Sequence, residues 1–171
     1  MSVLIKSAWI ALLLMLCNPA FAEPEQLYLF RHSEKQTGNN PFLTEQGQAR
    51  AEHLVSLVKT HPHITLYSSN YNRTLSTAAP LARYFNIKVI TYNAADLTTL
   101  KNQLLAQSGV VVVIGHSNTT PQLASLLSNQ TIENMDEGLY GHYYSLSRLE
   151  HGSYKANLRI KYSKCILGQQ R

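Results

Sequence analysis

The sequence predicts an α/β fold: a three-layer sandwich in which a mainly parallel sheet carries helices on both faces. Three observations lead there. Short apolar runs bounded by turn formers alternate with longer stretches that are apolar at three- and four-residue spacing, which separates buried strands from amphipathic helices. The runs at 27–30 and 110–114 are apolar at every position rather than at alternate ones, as strands covered on both faces are. The elements come as strand then helix, four times over, and close with two strands around Glu150-His151-Gly152. That order is the mark of βαβ units finished by a C-terminal β-hairpin.

The first 22 residues stand outside this pattern. Lys6 precedes an apolar stretch at 8–17, and Ala20-Phe21-Ala22 has small residues at both ends. Residues 1–22 are therefore expected to be a signal peptide cleaved after Ala22, for a protein of the periplasm or one that is secreted. The apolar stretch is short for a bilayer and ends at Asn18-Pro19, so no membrane span is expected after cleavage. Residues 23–171 are long enough for one domain with its own core.

Cleavage removes Lys6 and lowers the formal charge from +5 to +4. A modest positive charge suits an anionic ligand or an anionic surface. No Lys/Arg run is present, so no nucleic-acid partner is expected. Cys17 leaves with the leader, and Cys165 is then the remaining cysteine. That excludes an internal disulfide and a cysteine zinc site. Cys165 reads as a buried or edge residue.

In chain order, strand 27–30 runs into Arg31-His32 and then a polar loop with Gly38. Ligands of open α/β sheets bind at such carboxyl ends of strands. Thr44 can cap a helix over 44–60, Glu45 suits its positive end, and Ala51, Leu54, Val55 and Val58 form its buried stripe. His61-Pro62-His63 stops it, and strand 64–67 ends in Ser68-Ser69-Asn70. The next helix, 71–84, has Arg73 in its first turn and Pro80 inside, where proline kinks or divides a helix. Strand 87–92 leads to helix 96–107, opened by Asp96. Strand 110–114 runs into Gly115-His116-Ser117-Asn118. Thr119-Thr120-Pro121 starts the last helix, ending near Asn129. A polar stretch to Gly141 precedes the hairpin strands 143–148 and 154–162.

Two strand tips each deliver a histidine, His32 and His116, and this is the main functional signal. Each candidate also has a plain structural reading. A strand-end histidine can simply bond the backbone. Arg73 can be a surface charge and Glu34 a loop charge. Asp96 can be an ordinary N-cap, and Asn118 can merely start a helix. His61 and His63 have no evident third ligand, so no metal site is expected there.

Four motifs in register carry a resemblance: Arg31-His32-Ser33 after a strand, Leu43-Thr44-x-x-Gly47 opening a helix, Ser68-Ser69-x-x-x-Arg73-Thr74-x-x-Thr77-Ala78, and Gly115-His116-Ser117-Asn118. Together they closely resemble the histidine phosphatase, or phosphoglycerate-mutase-like, superfamily, over residues 27–127. Ser33 stands where such proteins often have Gly or Ala, and the long specificity insertion of the mutases is missing.

The resemblance implies a phosphatase acting on phosphomonoesters. His32 would be the nucleophile, forming a phosphohistidine that water hydrolyses. Arg31 and Arg73 would clamp phosphate oxygens, with His116 and Asn118 as further contacts. No metal and no cofactor are implied. The family's acid commonly follows the third strand, which here means Asp96. Glu34 is the alternative and Glu137 comes third. Expected substrates are a small phosphorylated compound, a phosphorylated envelope glycan or phosphohistidine on a protein. A catalytically silent phosphate- or sugar-phosphate-binding protein is the alternative reading, and a mutase the third. The sequence sets neither the substrate nor the oligomeric state.

Overall fold

The computed structural model describes residues 23–160. The expectations for the leader, for Cys17 and Cys165, and for the last two residues of strand 154–162 fall outside them. The described chain runs β1 (Gln26–Arg31), α1 (Glu45–Val58), β2 (Thr65–Ser69), α2 (Asn72–Phe85), β3 (Ile90–Tyr92), α3 (Leu97–Leu105), β4 (Val110–Gly115), α4 (Thr119–Ser128), β5 (His142–Arg148) and β6 (Tyr154–Ile160). The predicted α/β class, its helices on both faces and its closing hairpin are all present.

One six-stranded sheet has the order β3-β2-β4-β1-β5-β6. β1, β2, β3 and β4 are mutually parallel, and β5 and β6 complete the sheet antiparallel. Alternate side chains of each central strand feed two cores. Leu27, Leu29, Val111 and Val113 pack with Leu100 and Leu104 of α3 and Leu123 and Leu127 of α4. Phe30, Val112 and Ile114 pack on the other face with Leu54 and Val58 of α1 and Ala78 and Leu81 of α2. That explains the unbroken apolar runs, since both faces of β1 and β4 are covered. Each fully buried Leu contributes about 1.5–3 kcal/mol relative to exposure, which holds a chain with no internal disulfide in its described part.

Three local outcomes differ from the sequence reading. Pro80 does not divide its helix: α2 is one element through Phe85, with Pro80 buried. The proline removes its own N–H rung alone, while Ala78 and Leu81 beside it are anchored in the core. β3 begins at Ile90 rather than at 87, because β2 offers ladder partners only for Ile90, Thr91 and Tyr92. Ile87 and Val89 still pack against the core without joining the ladder. β1 includes Arg31, which pairs with Gly115 of β4.

Candidate active site

The register of the sheet builds the site. β1 and β4 are adjacent and parallel, with Arg31 opposite Gly115. The next residue on each strand is a histidine, so His32 and His116 leave the sheet side by side, their ring centroids 5.6 Å apart. β2 lies on the other side of β4. It ends at Ser69, and Arg73 follows in the first turn of α2. Three neighbouring strands thus bring His32, His116 and Arg73 to one carboxyl edge, the expected place for a ligand in such a sheet. A cavity of about 660 Å³ lies there, lined by Arg31, His32, Arg73, His116 and Asn118 among others.

His32 is held by backbone. Its N–H donates to Gly115 O at 2.9 Å. Its ring Nδ1 lies 2.8 Å from Ser33 O. A carbonyl only accepts, so Nδ1 carries the proton and Nε2 keeps the lone pair. Ser33 N–H donates to Thr77 Oγ1 at 3.0 Å, and Thr44 N–H donates to Glu34 O at 2.9 Å. Gly47 makes this approach between α1 and the loop possible, because a Cβ there would stand 2.1 Å from Glu34 O. Burial, with Arg31 next among the causes that lower it, holds the His32 pKa down at about 3. The ring is neutral at ordinary pH, as a nucleophile must be.

His116 is held by side chains. Arg73 Nη2 lies 3.3 Å from its Nδ1 and Ser69 Oγ lies 2.9 Å from its Nε2. Guanidinium only donates, so Nδ1 is the acceptor and Nε2–H donates to Ser69. Burial first, then Arg73 and Arg31, lower the His116 pKa to about 4.

Arg31 is buried, and burial lowers its pKa. Its Nη1 donates to Asp136 O at 2.9 Å and Leu139 O at 3.2 Å, and its Nη2 to Glu137 O at 2.7 Å. Its Nε is buried without a hydrogen-bond partner among the described residues. The guanidinium also packs 4.2 Å from the ring centroid of Tyr140, whose ring lies 6.1 Å from that of His32. Across the cavity, Arg73 packs 4.5 Å from the ring centroid of Tyr71. Neither arginine forms an ion pair among the described residues. Two buried or half-buried cations without a carboxylate partner favour an anion.

The candidate acids separate clearly. Asp96 is exposed and caps α3, accepting from Thr99 N at 3.0 Å. The bonds from Thr99 hold its carboxyl below the usual range, the opposite of what a proton donor needs. Ala94 and Ala95, just before it, line the cavity in its place. Glu34 faces Arg50, which donates Nε to both carboxylate oxygens at 2.9 and 2.8 Å. Glu137 lines the cavity. Asn118 lines it too, and its side chain accepts from Thr119 N at 2.9 Å. Tyr28 OH lies 3.2 Å from His61 Nε2. No group of three His, Cys, Asp or Glu side chains is placed to hold a metal ion among the described residues.

Sequence reasoning missed Tyr140, Tyr71, Ser69 and Lys35, of which all but Ser69 line the cavity. Ser69 was visible as a serine after an apolar strand, and its contact follows from β2 lying beside β4. Tyr140 had no local signal, because its place depends on the pairing of Phe30 with Tyr143.

A doubly covered α/β sheet with two neutral histidines and two arginines outside any ion pair among the described residues, all at its carboxyl edge, is the class of protein described here. Residues 27–96 match the sequence model of the histidine phosphatase superfamily (branch 1). No curated protein matches it. A mycobacterial glucosyl-3-phosphoglycerate phosphatase with inorganic phosphate shares 15% identity over 80% of this chain and 96% of that one, with a TM-score of 0.64. The protein histidine phosphatase SixA with tungstate shares 18% identity over 77% and 94%, at 0.58. A structure described as mycobacterial hydrolase 2 shares 13% over 84% and 93%, at 0.68. Identities this low speak for a common fold.

Proposed function

We propose that the protein is a phosphatase that hydrolyses phosphomonoesters through a phosphohistidine on His32. The observation that carries this is the tautomer of His32: the Nδ1–H bond to Ser33 O leaves Nε2 as the ring nitrogen with a lone pair, in a cavity also lined by Arg31 and Arg73. Nε2 attacks phosphorus, the ester P–O bond breaks, and the leaving oxygen takes a proton. Water then attacks the phosphohistidine, releasing inorganic phosphate and restoring neutral His32. Arg73 and the Arg31 Nε are the donors for the equatorial oxygens, and the reaction as written uses no metal. Glu137 is the carboxylate best suited to protonate the leaving oxygen, since it lines the cavity while Asp96 and Glu34 are engaged elsewhere.

The substrate is a small phosphorylated compound or a phosphorylated envelope glycan. The similar structures, of a glucosyl-3-phosphoglycerate phosphatase and of a protein histidine phosphatase, favour small phosphorylated groups. The leader pattern ahead of Glu23 supports a working place in the periplasm or outside the cell. Mass measurement of exported protein should give a chain starting at Glu23, and an intact cytoplasmic chain overturns that location.

The functional test uses nitrophenyl phosphate and an alkyl phosphate. Turnover of both, with an acid-labile phosphoenzyme lost in His32→Ala, is the expected result. Phosphate binding without turnover of either ester overturns it in favour of the silent binder.

A further inference from the structure

We propose that oxyanion binding loads a proton onto His116, and that Ser69 is the positioning residue that makes the protonated ring stable. The proposal rests on the phosphatase reading above, because it concerns the same anion site. Its basis is a chain of hydrogen bonds with one self-consistent direction. Arg73 donates to His116 Nδ1. His116 Nε2–H donates to Ser69 Oγ. Ser69 donates to Thr74 Oγ1 at 3.0 Å, and Thr74 donates to Ser69 O at 2.7 Å.

An entering oxyanion draws the Arg73 N–H toward its own oxygens. His116 Nδ1 then faces an anion with a lone pair, which is repulsive. Two responses can relieve it. A neutral tautomer shift would move the proton from Nε2 to Nδ1, and Ser69 would have to turn and donate to Nε2. That breaks the Ser69–Thr74 bond at two fully buried hydroxyls, where no water can replace it. Taking a proton from solvent onto Nδ1 breaks nothing. The imidazolium keeps donating through Nε2 to Ser69 and donates through Nδ1 to the anion. Its new charge is balanced by the anion, and the proton returns to water when the anion leaves.

Other titratable groups face this ring. His32 of the adjacent loop stands edge-on to it, and Tyr71 lies 5.1 Å away, centroid to centroid. Arg31 and Arg73 both bear on it electrostatically. Tyr92 from β3 bonds Ile114 O just below it, and Lys35, Glu137 and Tyr140 share the cavity. Of these, His32 is the one that could mimic the effect, so the test must separate the two histidines.

The probe is sulfate, which does not itself titrate near neutral pH. Calorimetry in buffers of different ionisation enthalpy should show uptake of about one proton per sulfate at pH 7, and the sulfate Kd should rise about tenfold per pH unit between pH 5 and 7. His32→Gln should keep that slope, and His116→Gln should flatten it. Histidine nitrogen spectra of the full chain should show His116 protonated on Nε2 alone when free and on both nitrogens with sulfate. Ser69→Ala should weaken sulfate binding by about ten- to a hundredfold and reduce proton uptake. Should that variant not fold, the wild-type spectra still decide. Sulfate binding with His116 left neutral, or a slope that survives His116→Gln, overturns the proposal while leaving the phosphatase reading intact. A chain that neither binds sulfate nor turns over phosphate esters overturns both.

Discussion

His32 and His116 occupy equivalent positions one residue beyond paired strand ends, yet they are held by different kinds of partner. His32 is tied at Nδ1 to the main chain of its own loop. That main chain is in turn fixed by Thr77 and by α1. His116 is tied at both ring nitrogens to side chains of another strand and helix. A main-chain anchor has one setting, which suits a nucleophile whose lone pair must always aim the same way. Side-chain anchors can be re-paired, which suits a group that answers the charge of what binds. Sequence proximity to a strand tip is thus shared, and the second nitrogen's partner divides the roles.

The largest effect should come from replacing the two rings. His32→Ala is expected to abolish turnover and phosphoenzyme. His116→Ala should slow turnover by about a hundred- to a thousandfold, the scale of losing one transition-state donor, while phosphoenzyme still forms. Equal loss of labelling in both variants would erase the distinction.

Arginine substitutions sharpen it next. Arg73→Lys should cost about ten- to a thousandfold in kcat/KM, since an ammonium lacks the planar fork. Arg31→Lys should cost activity and also loosen the 136–140 segment, whose carbonyls the guanidinium holds. Limited proteolysis near Tyr140 reads that second effect, and identical cleavage patterns in wild type and variant would contradict it.

The acids give a smaller, selective effect. Glu137→Gln should slow alkyl phosphates far more than nitrophenyl phosphate, whose leaving group needs little protonation. Asp96→Asn should be nearly silent in both assays, because asparagine also caps a helix. A leaving-group dependence confined to Asp96→Asn would return the acid role to the residue after the third strand.

The smallest effects concern stability. Both histidine pKa values lie below the ordinary 6.5, at about 3 and about 4. As pH falls from 6.5 toward 4, the unfolded chain takes up protons that the folded chain refuses. The stabilisation present above 6.5 is therefore lost across that window. Thermal melts should show it, and His32→Gln should lessen the slope. Gly47→Ala forces a Cβ against Glu34 O and should cost about 1–3 kcal/mol, with a loss of activity through the His32 loop.

Much of this was legible in the sequence. Continuous apolar runs gave the central strands, and a 3.6-residue stripe gave α1, because burial on two faces or on one writes itself into the residue pattern. Arg31, His32, Arg73 and His116 stood out because each follows a strand at its carboxyl end. The choice among the candidate acids was not legible there. Asp96 satisfies a helix-cap rule and a family-position rule equally well, and only its place in space separates them. Glu137 and Tyr140 lie in a polar stretch without periodicity, brought to His32 by an antiparallel pairing that spans more than a hundred residues. Pro80 does not divide α2, since its buried neighbours outweigh one lost rung.

The pairing of β1 has a consequence for how the chain comes to fold. β1 is the first strand of the described chain, yet it sits between β4 and β5. It has no ladder partner until residues 110–115 and then 143–147 exist. Contacts so distant in sequence close slowly, because loop entropy must be lost before they form. A nascent chain can build α1 and α2 early, but its Arg31-His32 segment must wait unpaired, apolar on both faces, until the C-terminal half emerges. For such a topology, anything that keeps the early strand from pairing prematurely bears directly on yield. Folding should be limited by this late closure, and mutations in β4 should slow it more than mutations in β3.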